Sequence, residues 1–272
     1  MKGLSLKIGK IPYANLFPIF YMLEKKCDIS RYEFVEGVPS MLNKMLRNGK
    51  IDVSPSSSIE YLRHKAKYLL IAGSSISSKG PAGSIFLFSK SPIKALDKKT
   101  IAVSPHSETS VVLLKIILND FLSMRCKLKP VSGSLNNTLS SFPACMLIGD
   151  EAMKAKKTVL QILNSGLYIY DLGELWFKQT GLPFVFALWI ARKKSLSEKR
   201  GLIEKFSSNL IKATAVAVKE FPLAARAAPQ RQWLSEEELL KYWKGISYDF
   251  TEEHKKGLDL FFKYAQKYEK RI

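Results

Sequence analysis

The sequence predicts an α/β fold with a helical C-terminal part, on three observations. Short apolar runs alternate with helically spaced ones from Leu4 to Ala191, the pattern of strands and helices taking turns. After Arg192 only helical spacing remains. The 272 residues are enough for one large or two modest domains, with no repeat and no low-complexity tract.

The elements follow in order. Residues 4–10 alternate at period two, and Pro12 and Pro18 bracket a loop before a helix predicted over 20–26. Residues 32–36 read as a strand. After Gly37, the spacing of Met41, Leu42, Met45 and Leu46 predicts a helix that Gly49 ends. Residues 51–53 form a short strand running into a Ser-rich loop, with helical 59–63 behind it. Further strands are predicted at 84–89, 100–103, 145–148 and 183–191, and Ser107 to Ser110 opens an apolar helix over 111–118. In the C-terminal part Ser195 with Glu198 and Ser235 with Glu238 match capping boxes, and Thr251 suits a third cap. Leu202, Phe206, Leu210, Ala213 and Ala217 mark one buried stripe, and Leu258, Phe261, Phe262 and Ala265 another.

Composition narrows the class of function. Lys and Arg number 43 against 24 Asp and Glu, a formal charge of +19. The basic residues are scattered, with short clusters at 154–157, 192–194 and 267–271, and no nucleic-acid signature accompanies them. No nucleic-acid partner is expected; a positive field suits a small anionic substrate. The longest apolar run, 182–191, falls far short of the ~20 residues that span a bilayer, so no membrane partner is expected either. Lysines interrupt the first ten residues, which therefore lack a signal-peptide pattern. Cys27, Cys126 and Cys145 are odd in number and lack metal-ligand spacing, as in a reduced, cytoplasmic compartment. His64, His106 and His254 have no partner at metal-ligand spacing, and no phosphate loop or nucleophile elbow occurs. His64 and His254 read as surface residues, and His106 beside Pro105 as part of a turn. No metal and no cofactor are expected.

Hydroxyl and amide residues instead gather after predicted strands. Asn15 follows the first strand; Ser54, Ser56, Ser57 and Ser58 follow 51–53; Ser104, Ser107, Thr109 and Ser110 follow 100–103; Gly149 and Asp150 follow 145–148. In open α/β sheets ligands sit at the carboxyl ends of the strands. Free N–H groups of helix N-termini, with Ser and Thr hydroxyls, suit carboxylates there. Any one such residue can be a plain N-cap. Three such loops in one chain point to a carboxylate site.

Several longer stretches resemble a known family. Gly9-Lys10-Ile11-Pro12-Tyr13-Ala14-Asn15-Leu16-Phe17-Pro18 is similar to a Tyr-x-Asn-x-x-Pro opening loop, and Ile51-Asp52-Val53 through Ser58-Ile59-Glu60-Tyr61 to a second loop. Ser78-Lys79-Gly80-Pro81-Ala82-Gly83-Ser84 resembles the approach to a crossover strand, and Ser107-Glu108-Thr109-Ser110 a helix start. Leu147-Ile148-Gly149-Asp150-Glu151-Ala152, Asp171-Leu172-Gly173-Glu174-Leu175-Trp176 and Thr180-Gly181-Leu182-Pro183-Phe184-Val185-Phe186-Ala187-Leu188-Trp189 complete the series. Together they resemble the chorismate dehydratases of the futalosine route to menaquinone. Pro12, Ala14 and Leu16 depart from the commonest family loop, where Ser, Leu and Thr often stand; Leu16 removes a hydroxyl.

The resemblance implies a two-lobed fold of the periplasmic-binding-protein type (type II), with two crossover segments and a C-terminal helical part. Lobe one spans 1–88 plus 190–272 and lobe two 89–189. It implies a carbon–oxygen lyase that removes water from chorismate to give 3-[(1-carboxyvinyl)oxy]benzoate without cofactor or metal. A ring proton leaves, hydroxide departs from the adjacent carbon, and aromatisation drives the step. Asn15 and Ser84 are expected at the reacting face. Ser107, Thr109 and Ser110 are expected on one carboxylate, with further contacts from Ser56, Ser57, Ser58 and Asp150. Asp150 equally suits a helix cap, and a substrate carboxylate is an alternative proton acceptor. The sister dihydroxynaphthoate synthase of the same route has a His-Glu pair where this chain has Asp150-Glu151. A non-catalytic binding or sensing protein for a small carboxylate is the remaining alternative.

Overall fold

The computed structural model describes residues 4–162 and 165–269; Lys2 and the basic residues Lys270 and Arg271 lie outside them. Contacts divide the chain into two units, Met1–Ser77 with Val185–Glu252 and Ser78–Phe184 with Glu253–Ile272. Strands and helices are numbered along the chain.

The first unit holds β1 (Leu6–Lys10), β2 (Tyr32–Glu36), β3 (Val53–Ser57), β4 (Tyr68–Ser78), β10 (Phe184–Arg192) and β11 (Ser247–Asp249), in the order β11-β4-β10-β3-β1-β2. β1 runs parallel to β2 along its whole length and parallel to β3 at Ile8↔Val53, whereas β10 runs antiparallel to β3. Around the sheet lie α1 (Phe17–Lys26), α2 (Pro39–Arg47), α3 (Ser58–His64), α8 (Lys193–Lys219), α9 (Phe221–Ala227) and α10 (Glu236–Gly245). Phe20, Trp189 and Phe206 form a ring-on-ring core between α1, β10 and α8.

Several expectations are corrected here. Helix α1 starts at Phe17, because Pro18 falls in its first turn, where a missing N–H costs nothing. The serines at 54–57 are not a loop: they are β3 itself, buried along its length. The α8 stripe uses Ile203, not Leu202, with Phe206, Leu210, Ala213 and Ala217. Ser195 does not cap a helix; its hydroxyl donates to Asp52 Oδ1 at 2.7 Å. Asp52 also accepts from Lys7 N–H (2.9 Å) and Lys199 Nζ (2.7 Å), tying β1, β3 and α8 together at the amino end of β3. Lys199 leaves helical geometry there (φ −127°, ψ 22°). The Ser235–Glu238 capping box is present.

The second unit holds β5 (Ile85–Ser89), β6 (Thr100–Val103), β7 (Lys127–Pro130), β8 (Ala144–Ile148) and β9 (Tyr168–Asp171), in the order β7-β6-β8-β5-β9. β6 is parallel to β7 and β8; β5 is antiparallel to β8 and β9. Its helices are α4 (Glu108–Ile116), α5 (Leu135–Ser141), α6 (Gly149–Gln161), α7 (Leu172–Thr180) and α11 (Glu252–Glu269). The expected lobes kept the last helix with the first sheet. Here α11 packs in the second unit, Phe261 lying against Trp176 and Phe184. Its Gly257 allows that approach, since a Cβ there would sit 2.0 Å from the carbonyl oxygen of Pro183. His254 on α11 is buried, not on the surface as the pattern suggested. Among the described residues no helix is long and apolar enough to cross a membrane.

Candidate active site

In the first unit the chain passes from β1 to β2 on one side, then returns to place β3 on the other. This reversal makes a switch point at the carboxyl ends of β1 and β3, where open α/β sheets bind ligands. The β1–β3 ladder is confined to Ile8↔Val53, and two residues further on Pro55 has no N–H to give.

Asn15 lies in the loop after β1. Trp243 Nε1 donates to the Ala14 carbonyl at 2.8 Å, and the Tyr248 hydroxyl donates to the Asn15 carbonyl at 2.7 Å. Burial pushes the Tyr248 phenol well above its ordinary range, so it stays a neutral donor. With its backbone so held, Asn15 keeps a buried Oδ1 that has no partner among the described residues. Such an oxygen is an unspent acceptor, and buried acceptors are costly to leave unmade.

The three candidate serines separate. Ser57 caps α3, accepting from Glu60 N–H (3.4 Å) and from Asn43 Nδ2 (2.9 Å). Ser58 donates to the Val185 carbonyl at 2.6 Å, so its proton is committed. Only Ser56 of the three keeps a buried hydroxyl without a partner among the described residues.

The second unit repeats the switch point, with β6 between β7 and β8. Ser107 caps α4 by accepting from Ser110 N–H at 3.2 Å, and Thr109 and Ser110 are buried in the first turn. Gly149 opens α6 directly after β8, with Asp150 in its first turn and Ile148 offering no side-chain cap. Ser84 precedes β5, and its carbonyl accepts from Gly149 N–H at 2.7 Å. Ser84, the start of α4 and Asp150 therefore share the carboxyl edge of β6 and β8.

The sequence reading missed the supports. Trp243 and Tyr248 bind groups far away in sequence, and Asp171, which stood in a motif, binds the distant Ala82 and Gly83 as well as its own helix start. Asp171 accepts four backbone N–H groups at 2.7–3.1 Å. Burial lifts its carboxyl above the ordinary range, and those bonds offset part of the rise. Buried Glu60 and Tyr68, with the half-buried Arg47 paired to Glu60, were not anticipated either. Among the described residues no group of three or more His, Cys, Asp or Glu side chains is placed to hold a metal ion.

Two such sheets with switch points define a protein of the periplasmic-binding-protein-like α/β class. The aliphatic sulphonate binding protein SsuA of Escherichia coli shares this fold, with a TM-score of 0.66 at 15% identity over 96% of this chain and 93% of that one. Residues 6–267 match the menaquinone biosynthesis family, and the chain belongs to it. It is similar to the chorismate dehydratase of Thermus thermophilus, 31% identical over 69% of this chain and 70% of the relative. It is also similar to that of Campylobacter jejuni, 32% identical over 75% of each chain.

Proposed function

We propose that the protein is a chorismate dehydratase, a hydro-lyase of menaquinone biosynthesis acting in the cytoplasm. The observation that carries the reading is Asn15 Oδ1: a buried, unspent acceptor on a loop whose carbonyls are fixed, in a family member related to chorismate dehydratases. Chorismate is a dianion. The hydroxyls and helix starts at Ser107, Thr109 and Ser110 suit one carboxylate, and Ser56 suits a further polar contact.

The reaction removes a ring proton and expels hydroxide from the adjacent carbon, giving water and the aromatic 3-[(1-carboxyvinyl)oxy]benzoate. Asn15 orients the leaving hydroxyl or the side-chain carboxylate, since an amide both donates and accepts. Ser84, in the second unit, is assigned to the reaction beside it as a hydroxyl donor. Neither is a competent base alone. A carboxylate of the substrate takes the proton while the protein orients it and keeps water away.

The test incubates pure protein with chorismate in the presence of a chelator. The diene absorbance is expected to decay as a product lighter by one water accumulates. Chorismate that binds but survives would overturn the enzyme reading in favour of a binding protein.

A further inference from the structure

The Asp171-Leu172-Gly173-Glu174 stretch does more than start a helix. Asp171 ends β9 and caps α7, its Oδ1 accepting from Gly173 N–H (2.9 Å) and Glu174 N–H (3.1 Å). A cap needs no more than this. Yet the same Oδ1 also accepts from Ala82 N–H (2.8 Å), and Oδ2 accepts from Gly83 N–H (2.7 Å), groups 88 and 89 residues away along the chain. The carboxylate therefore spans two segments of the second unit.

The segment it reaches is the turn leading to Ser84. Gly80 and Gly83 both have positive φ (108° and 71°), and Ser78 Oγ donates to the Gly80 carbonyl at 2.9 Å. Gly173 closes on the same turn from α7. A Cβ at 173 would lie 2.7 Å from the Gly80 oxygen and 2.9 Å from Ala82 N, closer than packed atoms come. On the far side of Ser84, its carbonyl is held by Gly149 N–H and Ile85 pairs with Ile148. The backbone of Ser84 is thus pinned one residue before and at its own carbonyl.

We infer that Asp171 is a positioning residue for Ser84, setting where that hydroxyl stands through Ala82 and Gly83. The inference rests on the reading that Ser84 serves the reaction. Asp171 is not the missing base: it is buried, and its oxygens accept four N–H groups within the fold.

The two oxygens allow a selective test. Asp171→Asn keeps the Oδ1 bonds, including the helix cap, but sets an NH₂ group against the Gly83 N–H. Asp171→Ser keeps an N-cap and loses both ties to the turn. Hydrogen exchange of the free protein is expected to speed up at Gly83 alone in Asp171→Asn and at both Ala82 and Gly83 in Asp171→Ser, while the α7 amides stay protected; unchanged exchange at Gly83 in both variants would overturn the clamp. In chorismate turnover, Asp171→Asn is expected to lower kcat by about 10- to 100-fold with KM within about twofold, as small misplacements do. On a Ser84→Ala background it is expected to add nothing, measured by single turnover. An equal loss on both backgrounds, or no loss on either, would defeat the positioning role. Wild-type kcat in Ser84→Ala alone would defeat the Ser84 reading, and the exchange data would still report on the clamp.

Discussion

The two sheets share a plan but set a buried aspartate at opposite ends of their strands. Order β10-β3-β1-β2 in the first unit matches β5-β8-β6-β7 in the second, each with a parallel trio and an antiparallel neighbour. In the first, Asp52 sits at the amino end of β3, while neutral donors, Trp243 and Tyr248, hold the loop at the carboxyl edge. In the second, Asp171 lies at the carboxyl edge and takes up the N–H groups of the turn before Ser84. Near a dianionic substrate a carboxylate is tolerable only if its charge is spent, and four N–H dipoles spend that of Asp171. The loop that carries Asn15 is held by neutral donors alone, and a carboxylate at position 15 itself is not expected to be tolerated.

Replacing Asn15 tests that exclusion with the largest effect. Asn15→Ala is expected to cut kcat by about 10²–10³, the range for losing an oriented hydrogen-bonding group, with the fold intact by circular dichroism. Asn15→Asp is expected to fail too. A carboxylate 4 Å from a substrate carboxylate costs about 4 kcal/mol at an effective dielectric near 20. Raised or normal turnover in Asn15→Asp would mean that position 15 takes the proton, and would sink the substrate-assisted reading.

Asp52 should behave in the opposite way to Asp171, moving stability and not turnover. Asp52→Ala strands a buried Ser195 hydroxyl and a mostly buried Lys199 ammonium, so a loss of about 2–4 kcal/mol is expected in urea unfolding. The pH signs also differ. Burial pushes the Asp52 carboxyl up, but bonds from Lys199, Lys7 N–H and Ser195 bring it below the usual range. Its stabilisation is full above about pH 4 and fades as pH falls through the lowered pKa. Asp171, raised by burial, contributes fully below about pH 4 and loses that contribution as pH rises through its pKa. Asp52→Asn should therefore flatten the acid limb of stability, and Asp171→Asn the limb above it. Identical pH profiles for the two variants would erase the distinction.

Tyr248→Phe probes the neutral clamp. It leaves the Asn15 carbonyl without its donor, at a cost of about 1 kcal/mol. A kcat about tenfold lower than wild type, with KM little changed, is expected if the bond orients Asn15. A loss of stability with unchanged kcat would reduce Tyr248 to a structural role.

What the sequence disclosed follows from how local each feature is. β2 and β6 were legible to the residue because apolar and β-branched residues stand together, and the Ser235 capping box because its partners are three residues apart. β3 was read as a loop since serines and Pro55 mark turns wherever burial is unknown. β4 escaped for a similar reason, its apolar start giving way to Gly73 (φ 84°) and serines, and β11 is only Ser247–Asp249 at a sheet edge. The shared plan of the two sheets lies in strand order, which no periodicity records. Of the site, residue types after strands were visible, but not which hydroxyls the fold had already used. The Trp243 bond to Ala14 spans 229 residues and has no sequence trace.

The serines of β3 offer the smallest and most discriminating effect. Ser57 and Ser58 are committed to Asn43 and the α3 start, and to Val185, so replacing either by Ala should cost about 1 kcal/mol of stability. Ser56 differs, because its buried hydroxyl already lacks a partner. Removing an unsatisfied buried group is neutral or stabilising, so the melting temperature of Ser56→Ala should hold or rise. If substrate completes that hydroxyl, KM for chorismate should rise about fivefold, the equivalent of a hydrogen bond worth about 1 kcal/mol. An unchanged KM with a raised melting temperature would remove Ser56 from the site and leave Asn15 as the first unit's sole contribution at that edge.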